Sequence, residues 1–371
     1  MTVRKRFERQ GKRWLRSLVA KAVISVPVEP GKLDPDSVSR VLVVRQDSRL
    51  GNLVLMTPFL EGLRDAFPTA KIECLVSGGF ESVLQPNPHI DGVIVFDKKR
   101  ARINPLWYVR FVRSLRGNSY DVAVDVSDGF HLSFNNALLT ALSGARFRVG
   151  YDREDAMSFE NLLVPKPPRE THMADALMGL ARFMSSRVGD YSMQYYLVDD
   201  DRDFADNWLR ERKIVSGQPF ALIHPGGRGL KQWGANKFAE LIDRLKQTYE
   251  ISIVVVEGPS EKDIVHAINT SCNTTIEVLR GVSIGCMAAV IGRCSLFISN
   301  DTGPMHVASA LKKPTIGIFT SSDYRVYGPR GEFGRTVVSD TGSPTVEDVM
   351  VAVDDLANAL NPDSEYDEDV R

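Results

Sequence analysis

Short apolar runs alternate with longer helical stretches in two separate arrays, and this alternation constrains the fold more than any other feature of the chain. The first array carries predicted strands at 40–45, 71–76, 92–96 and 120–126, and the second at 220–224, 251–257, 295–299 and 314–319. Strands that alternate with helices form a parallel sheet covered on both faces. The sequence therefore predicts an α/β fold of two doubly wound, Rossmann-like domains that face a cleft.

Helical patterns fill the intervals between these strands. They occupy 51–67 and 172–186 in the first array, and 235–247, 260–271, 283–291 and 304–311 in the second. Between 150 and 170 the alternation weakens, and we expect a proline-rich loop there. The predicted regions are a basic amphipathic arm (1–37), an N-terminal α/β domain (38–198), a C-terminal α/β domain (199–360) and an acidic tail (361–371).

Composition excludes several classes of protein. The 371 residues are 43% hydrophobic and 25% charged, which is typical of a soluble chain with sizeable cores. No window offers about 18 apolar residues without a charge, so a membrane-spanning helix is not expected. The four cysteines form no C-x-x-C pair, which argues against a zinc or redox motif and fits a reducing, cytoplasmic compartment. We expect no metal site.

The formal net charge of −1 is unevenly distributed. Residues 1–21 contain eight Lys or Arg and a single Glu, with Phe7, Trp14 and Leu18 on one side of a possible helix. Residues 1–25 therefore either rest on an anionic membrane surface as a peripheral contact or extend as a solvated basic segment. No other basic face is evident, so no nucleic-acid partner is expected.

The most informative segment runs from Ser299 to His306 and directly follows a predicted strand. Asp301 or Thr302 can cap the next helix, and Gly303 lets the backbone approach a ligand closely. Free N–H groups and the dipole at such a helix start favour a diphosphate, to which His306 could donate a hydrogen bond. The structural alternative is a capped turn with a packed histidine.

A second segment with several glycines, His224 to Trp233, follows another strand of the same array. Gly226 and Gly227 can expose backbone N–H groups, and Lys231 can place a point charge against phosphate. The spacing is not that of a P-loop, and alone the segment also fits a surface loop whose Trp233 packs on the next helix. Two such strand ends in one domain favour a nucleotide diphosphate.

A third segment, Glu257 to Glu261, follows the strand predicted at 251–257. Glu261 could accept hydrogen bonds from ribose hydroxyls, as acidic residues do in other nucleotide-binding folds. Alternatively, Ser260 caps a helix and Glu261 favours its first turn.

A fourth segment, Arg45 to Asn52, joins the first strand to the first helix. If the sheet prediction holds, Asp47 and Arg49 face the proposed cleft. Asp47 could then act as a general base towards a hydroxyl acceptor. The structural alternative is a capping aspartate and a solvated arginine.

These four segments, in this order, resemble glycosyltransferase family 9, the bacterial heptosyltransferases of lipopolysaccharide synthesis, over residues 40–345. The likeness rests on D-T-G-P-M-H (301–306), H-P-G-G with K-x-W (224–233), G-P-x-E (258–261) and the opening pattern of Arg45, Asp47, Gly51, Thr57 and Pro58. The resemblance implies a GT-B fold and an inverting, metal-independent transfer without a cofactor. The implied donor is a nucleotide sugar, commonly ADP-heptose.

The resemblance also assigns roles by position. The C-terminal domain would bind the nucleotide sugar, and the N-terminal domain would receive a lipopolysaccharide-type, lipid-linked or other cell-surface glycan acceptor. The residues that would contact the donor diphosphate, its sugar or its ribose are Lys231, Asp301, Thr302, Gly303, His306, Gly226, Gly227 and Glu261. Among them, Lys231 would also counter the charge on the leaving group.

One position departs from the family pattern. The family's catalytic aspartate follows the glycine of the first loop, where this chain has Asn52, and an amide cannot accept a proton. Either Asp47 serves as the base, or the acceptor is activated in another way, or the chain binds without turnover. The sequence therefore predicts a heptosyltransferase-like enzyme, with a catalytically impaired nucleotide-sugar or glycan-binding homologue as the alternative. An oxidoreductase is disfavoured because no G-x-G-x-x-G follows the first strand.

Overall fold

The computed structural model describes residues 26–46, 48–214, 218–340 and 342–360. Asp47, the predicted membrane-contacting residues 1–25 and the predicted acidic tail 361–371 lie outside the described residues. The chain divides into two compact units. Unit 1 comprises residues up to Ser48 together with Met56–Tyr191, and unit 2 comprises Arg49–Leu55 together with residues from Ser192 onward.

The strands and helices follow one another in near-regular alternation. The strands are β1 (Arg40–Arg45), β2 (Lys71–Ser77), β3 (Gly92–Phe96), β4 (Val122–Asp125), β5 (Phe147–Tyr151), β6 (Leu162–Val164), β7 (Phe220–His224), β8 (Ser252–Glu257), β9 (Glu277–Arg280), β10 (Leu296–Asn300), β11 (Thr315–Ile318) and β12 (Gly334–Val337). The helices are α1 (Leu50–Leu55), α2 (Thr57–Ala66), α3 (Glu81–Leu84), α4 (Lys98–Ile103), α5 (Pro105–Gly117), α6 (Phe134–Leu142), α7 (Met173–Met184), α8 (Asp199–Glu211), α9 (Ala235–Tyr249), α10 (Lys262–Ser271), α11 (Ile284–Ile291), α12 (Gly303–Ala310), α13 (Tyr324–Tyr327) and α14 (Val346–Leu360).

Each unit contains one six-stranded parallel sheet. The strand order is β3-β2-β1-β4-β5-β6 in unit 1 and β12-β11-β10-β7-β8-β9 in unit 2. Both sheets therefore have the doubly wound order, in which the winding reverses beside the first strand of the sheet. This topology confirms the predicted pair of Rossmann-like α/β arrays.

The central strands are apolar between their ends because helices cover both faces of each sheet. Val41 to Val44 of β1 are completely buried, as are Leu222 and Ile223 of β7. In unit 2, α9, α10 and α14 contribute side chains to one large apolar cluster with the inner strands. These cores hold the carboxyl ends of the strands, and the loops that follow them, in fixed positions.

The structure differs from the sequence prediction at several elements. The helix expected over 51–67 is interrupted at Met56, because Pro58 starts a new helix in its first turn. The loop expected between 150 and 170 is partly wrong, since β6 lies inside it and β5 ends there. The edge strands β9 and β12 were not predicted. Within the part of the chain that the structure describes, no helix is both long and apolar enough to span a bilayer.

Candidate active site

The loops after β7 and β10 lie side by side at the carboxyl edge of the unit 2 sheet. These two strands are paired, with Ser299 opposite His224, and the winding of the sheet reverses between them. In doubly wound sheets, this reversal opens a crevice in which ligands bind. Two of the four segments selected from the sequence therefore meet at the position where this fold binds ligands.

The loop after β7 is held at its far end by an indole. Trp233 is buried, packs edge-on against Phe238 of α9 at 5.0 Å between ring centroids, and donates from Nε1 to the carbonyl of Pro344 at 2.6 Å. Between His224 and this anchor, the chain forms a short 3₁₀ turn, Gly229–Lys231. The turn brings Lys231 back towards the sheet.

The side chain of Asn300 fastens the two loops together. Its Nδ2 donates to the carbonyls of Pro225 and Gly226, at 3.0 and 2.8 Å, and the residue is completely buried. Buried backbone carbonyls need such donors because water cannot reach them. The loop that carries the glycines is thus fixed relative to the start of α12.

His224, the last residue of β7, contacts the same pair of loops. Its Nδ1 lies 3.1 Å from the hydroxyl of Thr302, which is also 2.9 Å from the hydroxyl of Ser299. Burial lowers the pKa of His224 to about 4, so the ring is neutral near pH 7. His224 therefore positions Thr302 and adds no positive charge for an anion.

Lys231 and Asp301 form an ion pair across the two loops. Asp301 is buried, whereas the lysine side chain remains partly exposed. The carboxylate thus holds a solvent-accessible ammonium group beside the start of α12, where the helix dipole favours an anion.

The expected side-chain cap of α12 is not formed. Thr302 occupies the N-cap position, but neither it nor Asp301 bonds to the first turn of the helix, because their side chains pair with Ser299, His224 and Lys231 instead. Pro304 has no N–H and Met305 donates to the carbonyl of Thr302, so the N–H of Gly303 is the group that this helix start presents to a ligand.

The carboxylate of Glu261 lies close to two glycines at this edge of the sheet. A methyl group at Gly226 would lie 3.0 Å from Oε1 of Glu261, and one at Gly258 would lie 2.4 Å from Oε2. The absence of side chains at both positions therefore makes room for the carboxylate. Gly227 is equally confined, since a methyl group there would lie 3.0 Å from the carbonyl oxygen of Lys231.

Helix α1 packs directly on the start of α12. A methyl group at Gly303 would lie 2.8 Å from Cβ of Leu50, and one at Gly51 would lie 2.5 Å from Cδ2 of His306. Two glycines thus allow the close approach of α1 to α12. His306 is buried at this contact.

Asn52, in α1, immediately follows the glycine that touches His306. The residue that replaces the expected catalytic aspartate is therefore next to the helix start to which the sequence assigns the donor. Asp47, the other candidate base, lies outside the described residues, and its position stays a prediction.

The comparisons with known proteins agree with this architecture. The family model described as glycosyltransferase family 9 (heptosyltransferase) matches residues 108–351, about two-thirds of the chain. The chain belongs to glycosyltransferase family 9. It is therefore a glycosyltransferase of the heptosyltransferase family, as the sequence motifs predicted.

Individual relatives of this family 9 chain are similar along most of their length. Lipopolysaccharide heptosyltransferase 3 of Escherichia coli is 28% identical over 297 residues, which cover 75% of this chain and 83% of that protein. A family 9 glycosyltransferase from Veillonella parvula has a TM-score of 0.75 at 22% identity, covering 86% of this chain and 97% of the other. The ADP-heptose lipopolysaccharide heptosyltransferase II of E. coli has a TM-score of 0.70 at 20% identity, covering 87% and 99%. These structures share the predicted GT-B fold.

Sequence reasoning missed Asn300, the role of His224 and a buried polar cluster around Arg153 in unit 1. The guanidinium of Arg153 donates to Asp125 at 3.0 Å, to Glu160 at 2.8 Å, to the hydroxyl of Ser127 at 2.7 Å and to the carbonyl of Asp128 at 2.8 Å. This cluster fixes the loop after β4 at the carboxyl edge of the unit 1 sheet. The signals in the sequence were Asp125 and Asp128 near the end of one predicted strand, and charged residues in the segment predicted as a loop.

Proposed function

We propose that the chain transfers a sugar, heptose, from a nucleotide-diphosphate donor, ADP-heptose, to a lipopolysaccharide-type or other cell-surface glycan acceptor. The transfer inverts the anomeric configuration and needs no metal ion. Family membership supports the reaction class, and the E. coli relative named for ADP-heptose and lipopolysaccharide supports this donor and acceptor. The cytoplasmic location and a peripheral membrane contact through residues 1–25 stay predictions.

The pairing of Lys231 with Asp301 beside the start of α12 carries this proposal. It places a partly exposed cation beside the uncapped start of a helix, at the carboxyl edge of a doubly wound sheet. Both features are suited to a diphosphate. In the proposed complex, the diphosphate contacts Lys231, Thr302 and Gly303, and Glu261 accepts hydrogen bonds from the ribose.

The reaction is a single displacement. The acceptor hydroxyl oxygen forms a bond to the anomeric carbon while the bond from that carbon to the diphosphate breaks, and the nucleoside diphosphate leaves with the electron pair. Negative charge grows on the leaving oxygen, so the preorganised Lys231 ammonium group and the α12 dipole stabilise the transition state more than the bound donor. The acceptor proton passes to a base, for which Asp47 is our candidate.

Asn52 supports a second candidate function. An amide at this position, next to the glycine that contacts His306, cannot accept the acceptor proton. If no other group does so, the chain is a nucleotide-sugar or glycan-binding homologue without turnover.

The first experiment tests the proposed role of Lys231. Lys231→Ala should lower the turnover of ADP-heptose at least a hundredfold, a typical cost of removing one group that stabilises developing charge. Lys246→Ala, which changes an exposed lysine near the distal end of α9, is the matched control and should keep wild-type turnover. Wild-type kinetics for Lys231→Ala would exclude Lys231 from the mechanism.

A second experiment separates the two candidate functions. Donor transfer and donor hydrolysis are measured for the wild type, Asp47→Asn and Asn52→Asp. The enzyme interpretation requires measurable wild-type transfer, which Asp47→Asn lowers if Asp47 is the base. Activity that arises only in Asn52→Asp would instead identify the native chain as a binding protein.

A further inference from the structure

A strongly cationic surface lies on unit 1, whereas the proposed donor residues belong to unit 2. Residues 98–117, which form α4 and α5, contain seven basic residues and no Asp or Glu. The basic residues are Lys98, Lys99, Arg100, Arg102, Arg110, Arg113 and Arg116. The exposed residues of this helix pair are called the α4–α5 surface below.

The inner face of α5 is already occupied by the core. Trp107 and Phe111 stack on each other at 5.3 Å between ring centroids, and both contact Phe96 at the end of β3, at 5.9 and 5.2 Å. Leu115 is buried one turn further on. Packing in the core of unit 1 therefore explains why this face of α5 is apolar, and the aromatic contacts fix the orientation of the helix.

The opposite face carries apolar side chains that folding leaves in solvent. Ile103 is 82% exposed, Leu106 57% and Val109 43%. They follow one another at intervals of three residues across the junction between α4 and α5. Aliphatic side chains that protrude together from a helix junction are unusual on a surface that contacts only water.

Basic side chains surround these apolar residues. Arg110 and Arg113 follow Leu106 by four and seven residues, so they lie on the same side of α5, and both are exposed. Lys99 and Arg102 are exposed on α4. Long basic side chains can pair with phosphates while apolar neighbours enter a less polar layer.

We propose that the α4–α5 surface docks onto an anionic lipid bilayer. Ile103 and Leu106 enter the boundary between headgroups and acyl chains, and the surrounding basic side chains pair with lipid phosphates. Exposed aliphatic residues ringed by Lys and Arg are the pattern of an interfacial helix. Nonspecific nucleic-acid binding depends on contacts between basic side chains and phosphates, and it would leave the exposed aliphatic side chains unexplained.

The position of the surface relates this docking to the acceptor. Helix α4 begins directly after β3 ends, and Nζ of Lys98 lies 3.3 Å from the hydroxyl of Ser48 in the loop after β1. The surface therefore adjoins the carboxyl edge of the unit 1 sheet, where the proposed function places the acceptor. Docking would bring a lipid-linked acceptor to that edge; this last step alone rests on the proposed function.

The test measures partition of the full chain onto phosphatidylcholine vesicles with and without phosphatidylglycerol. Lys99→Gln/Arg102→Gln/Arg110→Gln should lower the partition coefficient about a hundredfold, because each basic residue near the surface contributes about fivefold. Ile103→Ser/Leu106→Ser should lower it about tenfold for each aliphatic group withdrawn from the bilayer. All five side chains are exposed, so circular dichroism should match the wild type.

Matched variants on unit 2 control for nonspecific effects of charge and hydrophobicity. Arg210→Gln/Arg244→Gln/Lys246→Gln removes the same number of charges, and Val351→Ser removes an exposed aliphatic group. Both should bind vesicles as the wild type does.

Two outcomes would overturn the proposal. The first is that both α4–α5 variants bind vesicles as strongly as the wild type. This outcome counts against the proposal also when Arg13→Gln/Arg16→Gln in the N-terminal arm abolishes vesicle binding. The second is that Lys99→Gln/Arg102→Gln/Arg110→Gln loses affinity for vesicles and for duplex DNA to the same extent, while Ile103→Ser/Leu106→Ser binds vesicles as the wild type does. This result would indicate a surface that binds any polyanion.

Discussion

The neutral state of His224 leads to a quantitative prediction about stability and pH. Burial lowers the pKa of this imidazole from 6.5 to about 4, and its Nδ1 contacts the hydroxyl of Thr302. An unfolded chain takes up a proton below pH 6.5, whereas the folded chain resists uptake until the pH is about 4. The contribution of this residue to the free energy of unfolding is therefore fully present above pH 6.5 and is lost as the pH falls towards 4.

The magnitude follows from the two pKa values. Each tenfold difference in proton affinity corresponds to about 1.4 kcal/mol, so the interval from 6.5 to about 4 corresponds to about 3 kcal/mol. At a pH of about 4.5, most of this loss, about 2.5 kcal/mol, should already be present. His224→Gln has no imidazole to protonate and should lack this part of the pH dependence.

Two assays check the reasoning. In the histidine NMR spectrum, the ring signal missing from His224→Gln should titrate with a midpoint near 4 in the wild type. In urea unfolding, the free energy of the wild type should fall by about 2.5 kcal/mol more than that of His224→Gln between pH values of about 7 and 4.5. His266→Gln, an exposed histidine of α10, is the control and should keep the wild-type difference. A midpoint near 6.5 for the assigned signal would refute the argument.

Two further substitutions test a buried charge and a close contact. Burial beside Asp125 raises the pKa of Glu160 well above 4.5, so the folded chain retains a proton that the unfolded chain releases. Glu160→Gln should therefore gain stability over the wild type as the pH rises above 4.5; parallel urea-unfolding profiles would contradict this. Gly226→Ala places a methyl group 2.4 Å from His224 and should cost about 1–3 kcal/mol of stability and weaken ADP binding. Calorimetry showing unchanged ADP affinity would count against the proposed donor site.

The long buried strands were predictable because their sequences report burial directly. β1 and β7, in the middle of their sheets, match their predicted bounds residue for residue, and so does β3 at the edge of its sheet. A central parallel strand is an uninterrupted apolar run, which few other environments produce. Two other edge strands lack this signal: β9, Glu277–Arg280, has charged residues at both ends, and β6 spans only three residues in a segment that resembles a loop.

The sequence predicted where the candidate site lies better than it predicted which residues contact one another there. Because parallel strands end at one edge, the motifs after β7 and β10 had to converge, and their glycines and Lys231 indicated an anion there. The packing of Trp233 on the next helix, which the sequence offered as part of the structural alternative, is confirmed, since its ring packs on Phe238.

Sequence alone thus determined the two α/β arrays and the edges at which ligand-binding loops gather. Only the tertiary structure decided that Lys231 pairs with Asp301, 70 residues away, that Asn300 joins the two loops, and that the outer face of α4 and α5 leaves aliphatic side chains in solvent. The physical reason is that periodicity along a chain reports whether a side chain is buried. Which partner a polar side chain pairs with depends on distances between residues far apart in sequence. The same is true of whether an aliphatic side chain is covered by other apolar groups.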